Sequence, residues 1–510
     1  MWPWENPEAL RLFRARLRPR TMFTIGFLAV LVLGATLGIL YVVQDKVPLP
    51  GGFLALYFHV AAALMFLGPG LYGLNLASQS IIQEREQNTL DFQRLVTIGP
   101  WRLALGKLLG APAEAWFAIG CGIFFLMLPV LAGAVHPGVL GLLLICLAVF
   151  MVFLSGLGLA CSAMAPKSSQ AAGLAVSLLI GFSILFGAIG HARGLGFWRA
   201  WSPWELYMYL VNLADPSARL PLTSIDFFSL PAPLPLGFVV LNLFWACFFL
   251  ALAARRLDNE ELSLLAPKHG LVFLAGLEIL LVGSLWDTVV ATRGGSLAAF
   301  HAAHLLALAG LALLLMPQPH TWRSWVHPHR RNQHWRVLLG RRTRTEDSSP
   351  LVLVLIAGAG YAVVAAGLEC LQHRGLPPAT HWLPMLAVLG FSLAVCSLAA
   401  VLQLYCEKHG LRIALAVVWG ALILPSVMLG LMGRQDAIPL VNPAAYVADE
   451  QIWAVQAPLP LRYPPSALWA CPLICLVAAA LLTALAAMRI RFLLDMREAE
   501  REKEAGGRGA

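Results

Sequence analysis

Gly138–Ser162 reads GVLGLLLICLAVFMVFLSGLGLACS, a run that contains no Asp, Glu, Lys or Arg. A bilayer core about 30 Å thick is crossed by about 20 helical residues, and backbone polar groups inside it must be satisfied within the segment. The run therefore predicts a membrane-spanning helix over 138–162. Eleven further apolar runs extend the pattern along the chain, at 22–43, 53–76, 105–133, 170–189, 236–254, 270–291, 297–316, 350–369, 383–405, 413–433 and 467–488. The expected fold is an all-α polytopic membrane protein of about twelve transmembrane helices. Composition agrees, since 59% of the 510 residues are hydrophobic and 12% are charged, against about 25% charged in a soluble domain. A soluble multidomain enzyme and a disordered chain are both excluded.

The net charge of +9 could suggest nucleic acid, but its distribution points elsewhere. With a cytoplasmic N-terminus, 28 of the 36 Lys and Arg fall in the inner segments, as the positive-inside rule requires. An even span count also leaves the C-terminus cytoplasmic. The basic balance is thus a topology signal, and no nucleic-acid partner is expected. Most of the nine cysteines lie inside apolar runs, where a thiol behaves as a small hydrophobe; no disulfide framework or zinc spacing is visible.

The chain divides into two related six-helix halves, 1–255 and 256–510. Ser202-Pro203-Trp204 and Asn442-Pro443-Ala444 lie in long outer loops, each followed by a last span that ends in arginines, Arg255-Arg256 and Arg489-Ile490-Arg491. Six spans per half make the duplication parallel. The second half carries a basic cytoplasmic loop at 317–349 and a charged C-terminal tail. Four histidines in that loop, His320, His327, His329 and His334, lack the Cys or carboxylate spacing of a metal site, and the loop's seven arginines suit anionic headgroups instead.

One polar segment stands out, Ser80-Ile81-Ile82-Gln83-Glu84-Arg85-Glu86-Gln87-Asn88-Thr89-Leu90-Asp91-Phe92-Gln93-Arg94-Leu95, followed by Pro100-Trp101 and Gly106-Lys107-Leu108-Leu109. Ile82, Glu86 and Leu90 share one face at helical spacing. The segment reads as a short amphipathic helix at 80–95 between the second and third spans. Taken alone, that pattern is either a solvated loop helix or a docking element.

Here the sequence resembles the permease subunits of type-2 ABC transporters, mostly exporters. The resemblance lies in Glu84-Arg85-Glu86-Gln87-Asn88-Thr89-Leu90, Pro100-Trp101 and Gly106-Lys107-Leu108-Leu109. Asn6-Pro7-Glu8, with the arginines that follow, resembles the family's interfacial elbow helix. The resemblance covers residues 1 to about 190 and implies a non-catalytic transport subunit. It implies that 80–95 is a coupling helix docking on a separate ATP-binding cassette subunit through Glu84, Arg85, Glu86, Thr89, Leu90 and Phe92. ATP and magnesium would then be held by that partner, with no cofactor in this chain; Gly106-Lys107 lacks the rest of a phosphate-binding loop. The second half has no such motif, so the partner bundle comes either from that half or from a second copy of the chain, a homodimer. Other expected contacts are membrane lipids, and the expected location is the inner or plasma membrane.

Ionisable residues inside spans are functional candidates because burying them is costly. Glu114 is expected about two turns into the third span, Glu278 near the middle of the seventh and Asp287 nearer its end, with His301 and His304 one turn apart in the eighth. They read either as a substrate or proton pathway or as interhelical hydrogen bonds that fix packing. Two competing functions remain open at this level: a polytopic membrane enzyme acting on a lipid-linked substrate, and an ion-gradient-driven transporter.

Overall fold

The computed structural model describes residues 6–44, 52–90, 98–165, 168–191, 196–214, 224–258, 263–286, 297–316, 349–373, 382–406, 413–414, 417–418, 442–443 and 469–507. The chain forms two compact units, Met1–Glu260 and Glu261–Ala510. Unit 1 contains α1 (Pro7–Arg16), α2 (Pro19–Val43), α3 (Phe53–Glu86), α4 (Pro100–Gly110), α5 (Ala113–Leu131), α6 (Pro137–Met164) and α7 (Ser168–His191). A 3-10 turn (Gly196–Trp201), α8 (Pro203–Ala214), a hairpin of β1 (Ser224–Phe227) and β2 (Leu230–Pro233), and α9 (Leu234–Asp258) complete it. Unit 2 contains α10 (Pro267–Trp286), α11 (Ala298–Leu314), α12 (Pro350–His373), α13 (Leu383–Cys406) and α14 (Ala470–Gly507).

Proline opens α1, α2, α4, α6, α8, α10 and α12. Its fixed φ suits the first helical turn, and its missing N–H would have no partner there in any case. Among the described residues, nine helices are long and apolar enough to cross a membrane: α2, α3, α5, α6, α9, α10, α12, α13 and α14. The protein is a multi-pass membrane protein. Stretches within α7 and α11 form shorter apolar helices, and nearly all of the expected span 413–433 lies outside the described residues, as does the basic loop up to residue 348.

In unit 1, α3, α6 and α9 pack together as the centre. Gly158 of α6 lets the backbones approach closely, because a Cβ there would stand 2.7 Å from the Leu74 carbonyl oxygen. Ser162 Oγ, one turn on, accepts from the backbone N–H groups of Ile81 and Ile82 at 3.0 Å each. By contrast, α2 has Leu33 as its one buried residue, the others being half-buried or exposed, as expected of a helix whose apolar surface faces lipid. In unit 2, α13 is the central helix, packed against α14, α11 and α12. Gly390 brings α13 onto α14 beside Cys475, and Ser397 Oγ lies 2.8 Å from Thr483 Oγ1.

Three expectations change. First, α3 runs unbroken through Gly68-Pro69-Gly70 to Glu86, so residues 80–86 are the end of a span and do not start a separate helix. Second, the expected span 105–133 is two helices, α4 and α5, separated at Ala111-Pro112. Glu114 consequently lies in the first turn of its span, and not two turns deep. Third, the density of aromatics at Trp198, Trp201 and Trp204 suits the headgroup level of a membrane, yet Trp198 and Trp201 are buried within unit 1, with Trp201 edge-on to Phe153 at 5.6 Å, whereas Trp204 is exposed.

Candidate functional site

The motif around Glu84 closes α3 and joins three helices. Gln87 ends the helix, and Asn88 adopts φ 55°, a left-handed conformation that Asn tolerates better than most residues. The Asn88 N–H then donates to the Arg85 carbonyl at 3.1 Å and the Thr89 N–H to the Glu84 carbonyl at 2.9 Å. This is a Schellman termination, which satisfies the last carbonyls of the helix. Thr89 Oγ1 adds a third bond to the Glu84 carbonyl at 3.2 Å. Leu90 is thereby folded back into an apolar cluster with Ile81, Leu103, Leu108, Leu159 and Leu257. Arg85 donates to the carbonyls of Ala165 and Ala163, where the C-terminal end of α6 offers unpaired acceptors and partial negative charge.

Beneath the turn two buried acids and a buried lysine are joined by a half-exposed arginine. Lys107 of α4 is fully buried, with its Nζ 3.0 Å from Glu8 Oε1 and in contact with Glu84 Oε2. Arg11 of α1 donates from Nε to Glu8 Oε2 at 2.8 Å and from Nη2 to Glu84 Oε1 at 2.7 Å. Burial alone would raise the Glu8 pKa, but the hydrogen bonds and charges of Arg11 and Lys107 outweigh it and hold the carboxyl below the ordinary value of 4.5. The same acids raise the Arg11 pKa, Glu8 foremost, against burial. Each charge therefore has an opposite partner at hydrogen-bond distance, the condition under which buried ions are tolerated.

Local sequence explains how α1 reaches this position. Asn6 caps α1, its Oδ1 accepting from the N–H groups of Glu8 and Ala9, and its Nδ2 donates to the Arg102 carbonyl of α4 at 2.7 Å. Gly106 and Gly110, one turn apart on α4, form the shallow face on which α1 lies. A Cβ at Gly106 would stand 2.7 Å from both Asn6 Oδ1 and Glu8 Cβ, and one at Gly110 would stand 2.8 Å from Leu12 Cβ. Farther along α1, Arg16 Nη1 lies 3.9 Å from Glu114 Oε1, and Tyr72 of α3 donates its hydroxyl to the same carboxylate.

Of the six residues expected to meet an ATPase, Glu84 and Leu90 are turned into unit 1, Arg85 is partly covered, and Phe92 lies outside the described residues. Glu86, Gln87, Asn88 and Thr89 form the exposed surface of the turn. Sequence reasoning passed over Arg11 and Lys107 as partners of Glu84, 73 and 23 positions away in the chain, and Glu8 as a partner of Lys107, 99 positions away.

Of the intramembrane candidates, Glu278 and His304 come together, with His304 Nε2 2.8 Å from Glu278 Oε1. His301 turns to Tyr361 and Glu369 of α12, neither of which the sequence reading singled out, although a carboxylate inside an apolar helix is itself the signal. Asp287 lies outside the described residues. Among the described residues, no group of three or more His, Cys, Asp or Glu side chains is arranged to hold a metal ion.

Residues 40–262 match the model of the family described as ABC-2 family transporter protein. The matched segment includes α3 to α9, and with them the turn at Glu84–Leu90. No curated protein matches the chain.

Proposed function

We propose, from the premise that residues 40–262 are an ABC-2 type permease domain, that the chain is the membrane-spanning subunit of an ATP-driven exporter and is driven by a separate ATP-binding cassette subunit. The observation that carries this reading is the four-charge cluster, three of its members buried, directly beneath an exposed turn. A push on Glu86–Thr89 from a soluble partner meets α3, α1 and α4 as one body, because Glu84 binds Arg11 and Lys107 and Leu90 is seated in the apolar cluster. A surface helix on a flexible loop would yield to the push; a turn clamped to three helices passes it into the spans.

In this reading the chain has about twelve spans with both termini in the cytoplasm of an inner or plasma membrane, and export follows from the family resemblance. ATP and magnesium belong to the partner subunit, and this chain supplies the pathway. The second half or a second copy of the chain completes it.

The test is affinity purification of the tagged chain from its native membrane, with a separately encoded ATP-binding cassette protein expected in the complex. Glu86→Lys reverses an exposed charge and is expected to cut recovery of that protein at least tenfold, with the permease's own yield and melting temperature unchanged. Retention of full ATPase recruitment in Glu86→Lys, or ATP turnover by the isolated chain, would sink the assignment.

A further inference from the structure

The N-terminal arginines divide into two groups. Arg11 is tied to Glu8 and Glu84, and Arg16 is half-buried with its Nη1 3.9 Å from Glu114 Oε1. Arg14, Arg18 and Arg20 are exposed. The sequence from Ala9 to Val43 contains these five arginines and no acidic residue. Two of the five thus hold α1 to its neighbours inside unit 1, and three present their charge at the surface.

The place of those three in the chain decides what they face. Arg14 is in the last turn of α1, Arg18 is the N-cap of α2, and Arg20 is in the first turn of α2. Arg18 has φ −78° and ψ 152°, the extended backbone that a following proline favours. Its Nε donates to the Ala15 carbonyl at 3.1 Å, which holds the guanidinium at the corner between the two helices. One of its five donors is spent there, and a planar fork of terminal nitrogens remains, the geometry that fits a phosphate.

Beyond the corner, α2 presents an apolar face in line with Arg20. At about 100° per residue, Arg20, Phe23, Phe27 and Leu31 fall within about 80° of one another around the helix. Phe23 is 74% exposed, Phe27 60% and Leu31 52%, and the two phenyl rings stack with centroids 6.3 Å apart. Leu31 stands eleven residues beyond Arg20, about 16 Å along the axis. That is the depth of one leaflet of a hydrocarbon core about 30 Å thick. Cationic forks at headgroup level above an apolar stripe one leaflet deep reproduce, in complementary form, the polarity of a phospholipid. Charge selects among phospholipids, since each arginine at the surface of an anionic leaflet strengthens attachment roughly fivefold, whereas a zwitterionic headgroup brings its own cation against the three.

We propose that Arg14, Arg18 and Arg20, with the Phe23–Phe27 face of α2, form a binding site for an anionic phospholipid at the corner of α1 and α2. The phosphate is held by the guanidinium groups, and an acyl chain lies along Phe23, Phe27 and Leu31. Asn6, Glu8 and Leu12 seat α1 on α4, so the lipid fastens the other end of the same helix to the membrane. The site goes beyond the ATPase reading and does not depend on it, because none of its three arginines belongs to the turn or the charge cluster.

The test uses the full-length chain in lipid nanodiscs containing a trace of phosphatidylglycerol with a photoreactive acyl chain, with labelled peptides mapped after irradiation. Label is expected in the segment 14–31. Unlabelled phosphatidylglycerol should displace it at a concentration at least about tenfold lower than phosphatidylcholine does, and the combined change Arg14→Gln, Arg18→Gln and Arg20→Gln should lower it at least about tenfold, given roughly fivefold per arginine. No label in 14–31, equal displacement by the two lipids, or undiminished label in the triple variant would overturn the proposal. Should that variant fail to insert, the competition on the wild-type chain decides alone. Arginines that served only to orient the first span would leave the segment in contact with whatever lipid surrounds it, and the two competitors would then act equally.

Discussion

Both units bury carboxylates, and they neutralise them by opposite means. In unit 1, Glu8 and Glu84 are met by Arg11 and Lys107, side chains that only donate hydrogen bonds. In unit 2, Glu278 is met by His304 and Glu369 by His301, side chains whose ring nitrogens either donate or accept. The first arrangement is a permanent clamp, and it sits where three helix ends meet and a load must be carried. The second is a contact of carboxylates with imidazoles among apolar helices.

The sharpest way to break this comparison is to remove one partner from each cluster. Lys107→Met leaves two buried acids with only Arg11 between them, and breaking a buried pair in this way costs about 3–5 kcal/mol. Glu278→Gln keeps a neutral donor facing His304 and should cost under about 1 kcal/mol, the scale of one exchanged hydrogen bond. Thermal unfolding of the two variants in matched detergent measures the difference; equal losses would mean that both clusters are clamps.

A smaller effect is expected from the shallow face of α4. Gly106→Leu drives a side chain into Asn6 and Glu8, an overpacking that costs about 1–3 kcal/mol. It should also release α1, readable as faster proteolysis at the N-terminus. Normal protection of that segment in the variant would show that α1 is held by something other than its seat on α4.

The weakest expected effect comes from acid. The Glu8 pKa is lowered in the folded state, so its ion pairs contribute full stability above the ordinary value of 4.5 and lose it as pH falls through the lowered value. Unit 1 should thus keep its N-terminal protection unchanged from pH 8 to pH 5 and lose it only under stronger acid. Loss of protection between pH 7 and pH 6 would contradict a clamp made of permanent charges.

Much of the architecture was legible in sequence because a long apolar run allows few alternatives in a membrane. The runs 138–162, 22–43 and 383–405 correspond to α6, α2 and α13 within a few residues at each end. The break between α4 and α5 was not legible, since residues on both sides of Ala111-Pro112 are apolar and one long span fits the same pattern. Nor was the continuity of α3, because the polar sequence after Leu76 looks like an exit from the membrane although the helix runs on to Glu86. The Glu84-Arg85-Glu86 motif could be picked out at once, but not which of its acids faces inward. That depends on Lys107 and Arg11, brought to Glu84 by packing between segments that no local spacing connects.

The central claim is that the turn closing α3 is the surface on which an ATP-hydrolysing subunit acts. A photo-crosslinking amino acid at Asn88, exposed on that turn, tests it in intact membranes, with the same probe at Ile279, exposed on α10, as the control. Capture of an ATP-binding cassette protein from position 88 and not from 279 is the predicted result. If position 88 captures no such protein, or both positions capture it equally, the turn is not the coupling surface.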